Sequence, residues 1–230
     1  MKTIGIVQLG QKVFDCYEFD GVWKKHIGVP EKNFSCFIQG GSGNGKTDYC
    51  VKFAKYLSEF AKVLYVSHEE GISKSIQEAF ARNNMHEVSG KVVLAEKATV
   101  AELIVYLKRK NSPKIMIIDS LDYMNLTKAD YIKIRESCPK KAVIIISWSE
   151  GKEPATTAGK KIKYMCDIKI NVSNFRAYPA SRYGGHDPYI IWDKSKKLSP
   201  PDEAVTVQPN AEQGKLFDTP ITEPTTEVTQ

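Results

Sequence analysis

Short apolar segments alternate, along the first 150 residues, with longer segments whose apolar residues recur every three or four positions. Runs rich in Val, Ile and Tyr between turn-forming residues predict buried β-strands, whereas the 3.6-residue period predicts helices. The predicted strands are residues 33–39, 62–67, 91–95, 114–119 and 142–148, and the predicted helices are 46–61, 73–83, 99–110 and 128–137. This alternation predicts an α/β fold with a mostly parallel central sheet covered on both faces.

The pattern changes after residue 148. Residues 149–157 predict a basic loop with Gly and Thr, and a short helix follows. A strand over 167–172 and a C-terminal β-hairpin that ends near residue 194 complete the predicted domain.

Charge is distributed unevenly along the 230 residues, whose net charge is +6. Residues 1–198 carry +11, whereas residues 199–230 carry −5 and five of the eleven prolines, without apolar periodicity. We therefore expect a single domain over 1–198 and an acidic, Pro-rich disordered tail over 199–230. Such a tail serves either solubility or a specific partner.

The composition excludes several classes of protein. With 42% hydrophobic and 26% charged residues the chain is globular, and its longest apolar runs are far shorter than the roughly 20 residues of a membrane span. No secretory apolar segment follows Met1. Five cysteines without CxxC spacing are typical of reduced, mostly buried thiols, so we expect a cytoplasmic protein.

A phosphate-binding loop lies between the first predicted strand and the first predicted helix. The pattern G-x-x-x-x-G-K-[ST] is formed by Gly40, Gly41, Ser42, Gly43, Asn44, Gly45, Lys46 and Thr47. Glycines let successive backbone N–H groups surround phosphate oxygens, and the helix N-terminus adds its positive dipole. Lys46 would reach the β- and γ-phosphates, and the Thr47 hydroxyl would ligate Mg²⁺, so the motif predicts ATP and Mg²⁺ as cofactors.

Carboxylates end two other predicted strands. Asp119 ends the run Ile-Met-Ile-Ile-Asp, where it would hold Mg²⁺ through water. Glu69 and Glu70 follow the strand Val-Leu-Tyr-Val-Ser, where one of them would polarise the water that attacks the γ-phosphate. Glu69 is the favoured base, and Glu70 is the alternative.

Together these motifs resemble the RecA/RadA/DnaB superfamily over about residues 18–195, and RadA-like proteins most. The resemblance rests on the phosphate loop, on Glu69 after its strand, on the strand ending in Asp119-Ser120, and on Ala158-Gly159 in the helix before Asp167. The sequence Ser181-Arg182-Tyr183-Gly184-Gly185 is similar to the RadA motif K-N-R-F-G. The resemblance implies an ATPase with a RecA-like core that works as a homo-oligomeric ring or filament.

Arg182 would, by this resemblance, reach the nucleotide of a neighbouring subunit and stabilise charge on its γ-phosphate. A surface salt bridge is the equally weighted alternative for Arg182.

Two residues depart from the family pattern. Trp148 stands where these proteins place a γ-phosphate-sensing His or Gln, and Ala180 stands where RadA has Lys.

Single-stranded DNA is the partner that the basic residues predict. Lys152 lies in the predicted loop, and Lys160, Lys161 and Lys163 lie on the helix behind it. These lysines would bind a phosphate backbone by counterion release, while Tyr164 and Tyr183 are candidates for base stacking. An ordinary solvated helix face is the alternative. Lys194, Lys196 and Lys197 form a second basic cluster.

The predicted tail contains one motif. Gln213, Leu216 and Phe217 resemble the Q-x-x-L-F core of peptides that bind the bacterial sliding clamp. A chance apolar pair is the favoured alternative, because short patterns recur at random.

Three functions are compatible with these features. The leading hypothesis is a RecA-like ATPase that acts on single-stranded DNA in recombination, repair or replication. A KaiC-like switch, whose nucleotide state controls assembly without DNA-stimulated activity, is the second. A small-molecule phosphotransferase is the third, and the sequence disfavours it because no Arg-rich lid segment is visible.

Overall fold

The computed structural model describes Met1 and residues 3–193, and residues 1–193 belong to one compact unit. The described strands are β1 Ser35–Gly40, β2 Val63–Ser67, β3 Val92–Glu96, β4 Ile115–Asp119, β5 Ala142–Glu150, β6 Glu153–Pro154, β7 Ile168–Ser173, β8 Arg176–Ser181 and β9 Tyr189–Ile190. The helices are α1 Ile6–Gly10, α2 Gly21–Ile27, α3 Lys46–Leu57, α4 Lys74–Arg82, α5 Val100–Lys108, α6 Leu121–Met124, α7 Lys128–Ser137 and α8 Thr157–Met165, with a 3₁₀-helix at Met85–Val88.

The strands form one sheet in the order β3-β2-β4-β5-β1-β7-β8-β9, and β6 pairs with β5 at its end. The six strands from β3 to β7 in this order pair in parallel, whereas β8 and β9 continue the sheet antiparallel. The predicted α/β class and mostly parallel sheet are confirmed. Because carboxyl ends of parallel strands meet at one sheet edge, Ser67 lies opposite Asp119, and Gly40 lies opposite Trp148.

Two apolar layers cover the sheet. On one face, Ile38 of β1 packs with residues of α2, α3 and α4, and on the other Phe37 packs with residues of α5, α7 and α8. Strands β1, β2 and β4 are buried at every position, which is why β2 and β4 are nearly continuous apolar runs in the sequence.

Hydroxyl caps set the start of four helices. Ser73, Thr99, Thr127 and Thr156 each accept a hydrogen bond from a backbone N–H in the first turn of α4, α5, α7 and α8. Such caps satisfy a donor that the helix leaves unpaired, and each stabilises by about 1 kcal/mol.

The loop predicted over residues 149–157 is different in the structure. Strand β5 continues to Glu150 and turns back through β6, so that Ser149 pairs with Pro154 and Glu150 with Glu153. This β5–β6 hairpin is polar and largely exposed, so it lacks the apolar alternation that identifies strands in a sequence.

Four of the five cysteines are buried and Cys16 is half-buried, as predicted. None of the helices in the described part of the chain has the length and apolarity that crossing a bilayer requires. Residues 194–230 lie outside the described residues, so the domain boundary at 198, the tail, the second lysine cluster and the clamp-like motif at Gln213, Leu216 and Phe217 stay predictions.

Candidate nucleotide site

The phosphate loop connects β1 to α3 at the carboxyl edge of the sheet. Gly40 is the last residue of β1, and α3 begins at Lys46. A Cβ on Gly40 would lie 2.3 Å from the Val172 carbonyl oxygen, so only glycine allows β7 to pack this close. Gly45 has φ +92°, in the left-handed region that glycine adopts readily. The Lys46 ammonium donates to the Gly41 carbonyl oxygen at 2.9 Å, which folds its side chain back over the loop.

The β7–β8 turn holds the phosphate loop from outside. The Asn44 carboxamide donates to the Ser42 carbonyl at 3.2 Å and accepts from the Asn174 N–H at 2.9 Å. Phe175, the next residue of the turn, has φ +56°. Its ring packs so close to Gly45 that a Cβ on Gly45 would lie 3.0 Å from it. Asn44 therefore joins the loop to this turn through its side chain.

Asp119 is almost completely buried at the end of β4, with 4% of its surface exposed. The Tyr65 hydroxyl donates to its carboxylate at 2.6 Å. Burial raises the pKa of Asp119 to about 6, and the nearby Glu69 and Glu70 carboxylates act in the same direction. The Tyr65 hydrogen bond and the Lys46 charge oppose that increase. Asp119 is thus an acid whose ionisation responds to any cation placed beside it.

Trp148 contacts the favoured catalytic glutamate. Its indole N–H donates to the Glu69 carboxylate at 3.3 Å, and the Tyr123 ring packs edge-on against the indole at 5.0 Å. The Asp122 carboxylate accepts from the Trp148 backbone N–H at 2.8 Å, which fixes the end of β5. Trp148, which by the resemblance replaces a γ-phosphate-sensing His or Gln, therefore contacts Glu69 through its indole.

A cavity of about 360 Å³ brings most of the predicted site residues together. Its predicted lining residues are Ser42, Gly43, Gly45, Lys46, Thr47, Glu69, Glu70 and Asp119. The other predicted residues of the phosphate loop do not line the cavity; they are Gly40, Gly41 and Asn44. The predicted lining residues thus assemble at one edge of the sheet from three separate segments.

The sequence alone does not identify several residues of this site, among them Arg82, Phe175 and Tyr65. Arg82 and Phe175 line the cavity, and Tyr65 supports Asp119 from the middle of β2. The Arg82 guanidinium lies 3.4 Å from the Asp48 carboxylate, and both residues line the cavity together with Lys46. No local motif identifies these residues, because each reaches the site through the packing of distant elements.

The residues present suit Mg²⁺ that arrives with phosphates. Thr47 and Asp119 offer the hydroxyl and carboxylate oxygens that Mg²⁺ prefers, and the buried Ser67 and Ser120 hydroxyls at this edge lack hydrogen-bond partners among the described residues. Within that same part of the chain, no group of three or more His, Cys, Asp and Glu could hold a metal by itself. The donor set therefore depends on phosphate oxygens to complete the coordination.

Arg182 lies at the opposite edge of the sheet from its own phosphate loop. It pairs with Asp167 at 3.3 Å, and the Asp167 carboxylate accepts from both the N–H and the hydroxyl of Ser35. Ser35 begins the strand that Gly40 ends, a separation of roughly 17 Å along β1. Arg182 is therefore too far from its own phosphate loop to contact a nucleotide there, and the salt bridge that was the alternative for this residue is present.

The predicted DNA-binding lysines lie around α8. Lys160 and Lys161 are exposed on the helix, and Lys152 is exposed in the β5–β6 turn. Lys163 is largely covered and pairs with Glu153 at 3.2 Å. Of the two candidate stacking residues, Tyr164 is 78% exposed on α8, whereas Tyr183 packs against the core.

Comparisons with solved structures bear on the fold. No family model and no curated protein sequence matches the chain. A KaiC-like protein from the hyperthermophilic archaeon Pyrococcus horikoshii has a similar structure, with 18% identity and a TM-score of 0.52 over 70% of this chain and 85% of that one. The flagellar accessory protein FlaH from Methanocaldococcus jannaschii aligns with 16% identity and a TM-score of 0.48 over 68% and 87%. The chain has the RecA-like P-loop fold.

Proposed function

We propose that this protein is a Mg²⁺-dependent ATPase that works as a cytoplasmic homo-oligomer on single-stranded DNA. One observation carries the enzymatic part: Lys46, Thr47, Asp119 and Glu69 line the same cavity at the carboxyl edge of the sheet. In open parallel sheets this edge is where ligands bind. The residues proposed to bind phosphate, hold the metal and activate water therefore line one cavity, which supports the proposal.

The chain's own groups would act in sequence on bound ATP. Backbone N–H groups of the loop and the N-terminus of α3 would hold the phosphates, and Lys46 would leave the Gly41 carbonyl to contact them. Glu69 would orient the attacking water and accept its proton, while Trp148 fixes the carboxylate that does so. Arg82, which lines the same cavity, would add positive charge.

Thr47 and Asp119 would hold Mg²⁺, which when bound supplies positive charge to the phosphate oxygens. Cation binding would favour the ionised form of Asp119, whose pKa burial otherwise raises to about 6. ATP binding and ionisation of Asp119 are then coupled.

A second subunit would supply Arg182. Its guanidinium is too far from its own loop, yet its side chain is 65% exposed despite the pair with Asp167. An exposed cation at the opposite edge of the sheet supports a head-to-tail assembly, in which each nucleotide contacts two subunits.

Exposed residues of α8 support DNA as the partner. Lys160, Lys161 and Tyr164 lie within one turn of the helix and combine cations with an accessible aromatic ring. Single-stranded DNA is bound by this combination of backbone charge and base stacking. Lys163 contributes less than predicted, because Glu153 already pairs with it.

A KaiC-like switch is the second candidate. The likeness to a KaiC-like protein and the Trp148–Glu69 contact support it, since an indole in the sensor position provides no flexible polar group for γ-phosphate detection. Such a switch would hydrolyse ATP slowly and without any response to DNA.

ATP turnover with and without single-stranded DNA, at two salt concentrations, distinguishes these functions. We expect DNA to raise the rate, and a salt increase from about 50 to 200 mM to weaken the effect, because binding depends on counterion release. Arg182→Ala should lower the rate at subunit concentrations that permit assembly. Turnover that DNA leaves unchanged, combined with nucleotide-dependent oligomerisation in light scattering, would favour the switch.

A further inference from the structure

A second cavity, of about 350 Å³, lies on the face of the sheet that carries Phe37, opposite the face that α3 covers. Its walls come from β1, β7, β8, α8 and the turn of the β5–β6 hairpin. The volume is at the lower end of the range of about 300–1,000 Å³ for ligand pockets. We call it the lysine cavity, after Lys152, Lys163 and Lys169, which line it.

The polar floor of the lysine cavity follows from strand register. Gln39 of β1 lies opposite Asn171 of β7, and Asn171 lies opposite Tyr178 of β8. Neighbouring residues in register point to the same face of a sheet, so these three side chains form one row across three strands. The row offers two carboxamides and one phenol.

The cavity is electropositive. Three lysines line it and, among the described residues, no acidic side chain does. Lys163 pairs with Glu153 at 3.2 Å, and Lys169 donates to the Cys166 carbonyl at 2.8 Å, so each ammonium group keeps at least one N–H donor for a ligand. The cavity therefore suits an anionic ligand.

Gln39 provides an independent indication of a ligand. It is 3% exposed, yet its Oε1 has no hydrogen-bond partner within the described chain, which is unusual for a buried carboxamide. Its orientation is fixed, because Nε2 donates to the Lys152 carbonyl at 2.8 Å and that oxygen can only accept. Gln39 lines the cavity, and its Oε1 is an acceptor that a ligand N–H would satisfy.

We propose that the lysine cavity binds a nucleoside phosphate, either as one nucleotide of a DNA strand or as a free mononucleotide. The lysines would neutralise the phosphate, Tyr178, which is 42% exposed, would stack on the base, and Gln39 would accept an N–H from the base edge. Binding of a nucleotide within a DNA strand rests on the proposed action on single-stranded DNA. It is supported because Lys160, Lys161 and Tyr164 lie on α8, the helix that contributes Lys163 to the cavity.

The test uses the double variant Lys152→Ala/Tyr178→Ala and a matched control, Lys128→Ala/Phe14→Ala, which removes one exposed lysine and one exposed aromatic ring elsewhere. Binding of a fluorescein-labelled oligo(dC) of about 20 nucleotides is measured by anisotropy, together with an abasic strand of equal length and charge. Calorimetric titration with dCMP, with the phosphate loop saturated by a non-hydrolysable ATP analogue, tests the mononucleotide.

We expect the cavity variant to bind oligo(dC) at least about tenfold more weakly than the control, and to lose the preference for oligo(dC) over the abasic strand. If the wild-type and control proteins bind dCMP, the cavity variant does not, and none of them binds the strand, the ligand is a free mononucleotide and the action on DNA is refuted. If the two variants bind the strand equally and no protein binds dCMP, the cavity is not a binding site, and the proposed action on DNA is unaffected. Failure of the wild-type protein to bind either probe overturns both.

Discussion

A Glu69→Gln variant is expected to bind ATP with nearly unchanged affinity and to hydrolyse it about 10²–10⁴ times more slowly. Glutamine keeps the size of the side chain and can still accept the Trp148 indole hydrogen bond, but it cannot accept a proton from water. Single-turnover hydrolysis, with affinity from a fluorescent ATP analogue, separates the chemical step from binding.

Glu70→Gln is the matched control, because Glu70 lines the same cavity one residue away. It should retain most of the wild-type rate. A full rate in Glu69→Gln with a large loss in Glu70→Gln would assign the base to Glu70. Full rates in both variants would contradict a glutamate base at this edge.

Asp119→Asn is expected to stabilise the nucleotide-free protein while abolishing Mg²⁺-dependent hydrolysis. Burial raises the pKa of Asp119 from 3.8 to about 6, so the folded state binds this proton more tightly than the unfolded state. The stabilisation that this bound proton gives the folded state is complete below about pH 4 and is lost as the pH rises through 6. At pH 8 the ionised carboxylate costs about 3 kcal/mol, and at pH 5 about half of that.

Urea unfolding at pH 5 and pH 8, without nucleotide or Mg²⁺, measures this difference. The gain in the free energy of unfolding for Asp119→Asn should be larger at pH 8, since Tyr65 can still donate to the Asn oxygen. The exposed Asp15, changed to Asn, should alter stability by less than about 1 kcal/mol at either pH. A loss of stability in Asp119→Asn at pH 8 would show that the ionised carboxylate is well accommodated.

The central strands were predictable because burial on both faces leaves nearly continuous apolar runs. The N-terminal region was not, since α1 buries none of its residues and α2 spans only seven. The β5–β6 hairpin was predicted as a loop, because its conformation depends on distant partners such as Gln39 and Asp122, which bond the Lys152 carbonyl and the Trp148 N–H.

Some residues of the candidate site are identified by a local sequence signal, whereas others are not. The phosphate loop is a local motif, and a carboxylate at the end of an apolar strand is a local signal. Tyr65, Arg82 and Phe175 carry no such signal, because strand pairing, helix packing and the β7–β8 turn bring them to the cavity. Trp148 was expected to replace a sensor, but only the structure shows its indole on Glu69.

ATP hydrolysis by the wild-type protein and by Lys46→Ala, each with and without Mg²⁺, tests the central claim that this cavity binds and hydrolyses ATP. Lys46 begins α3 and lines the cavity, so its loss removes the ammonium group that would contact the phosphates. We expect Mg²⁺-dependent phosphate release by the wild-type protein and a decrease of at least about 100-fold in Lys46→Ala. Release that is absent from the wild-type protein, or that is equal in the two proteins, would contradict the claim.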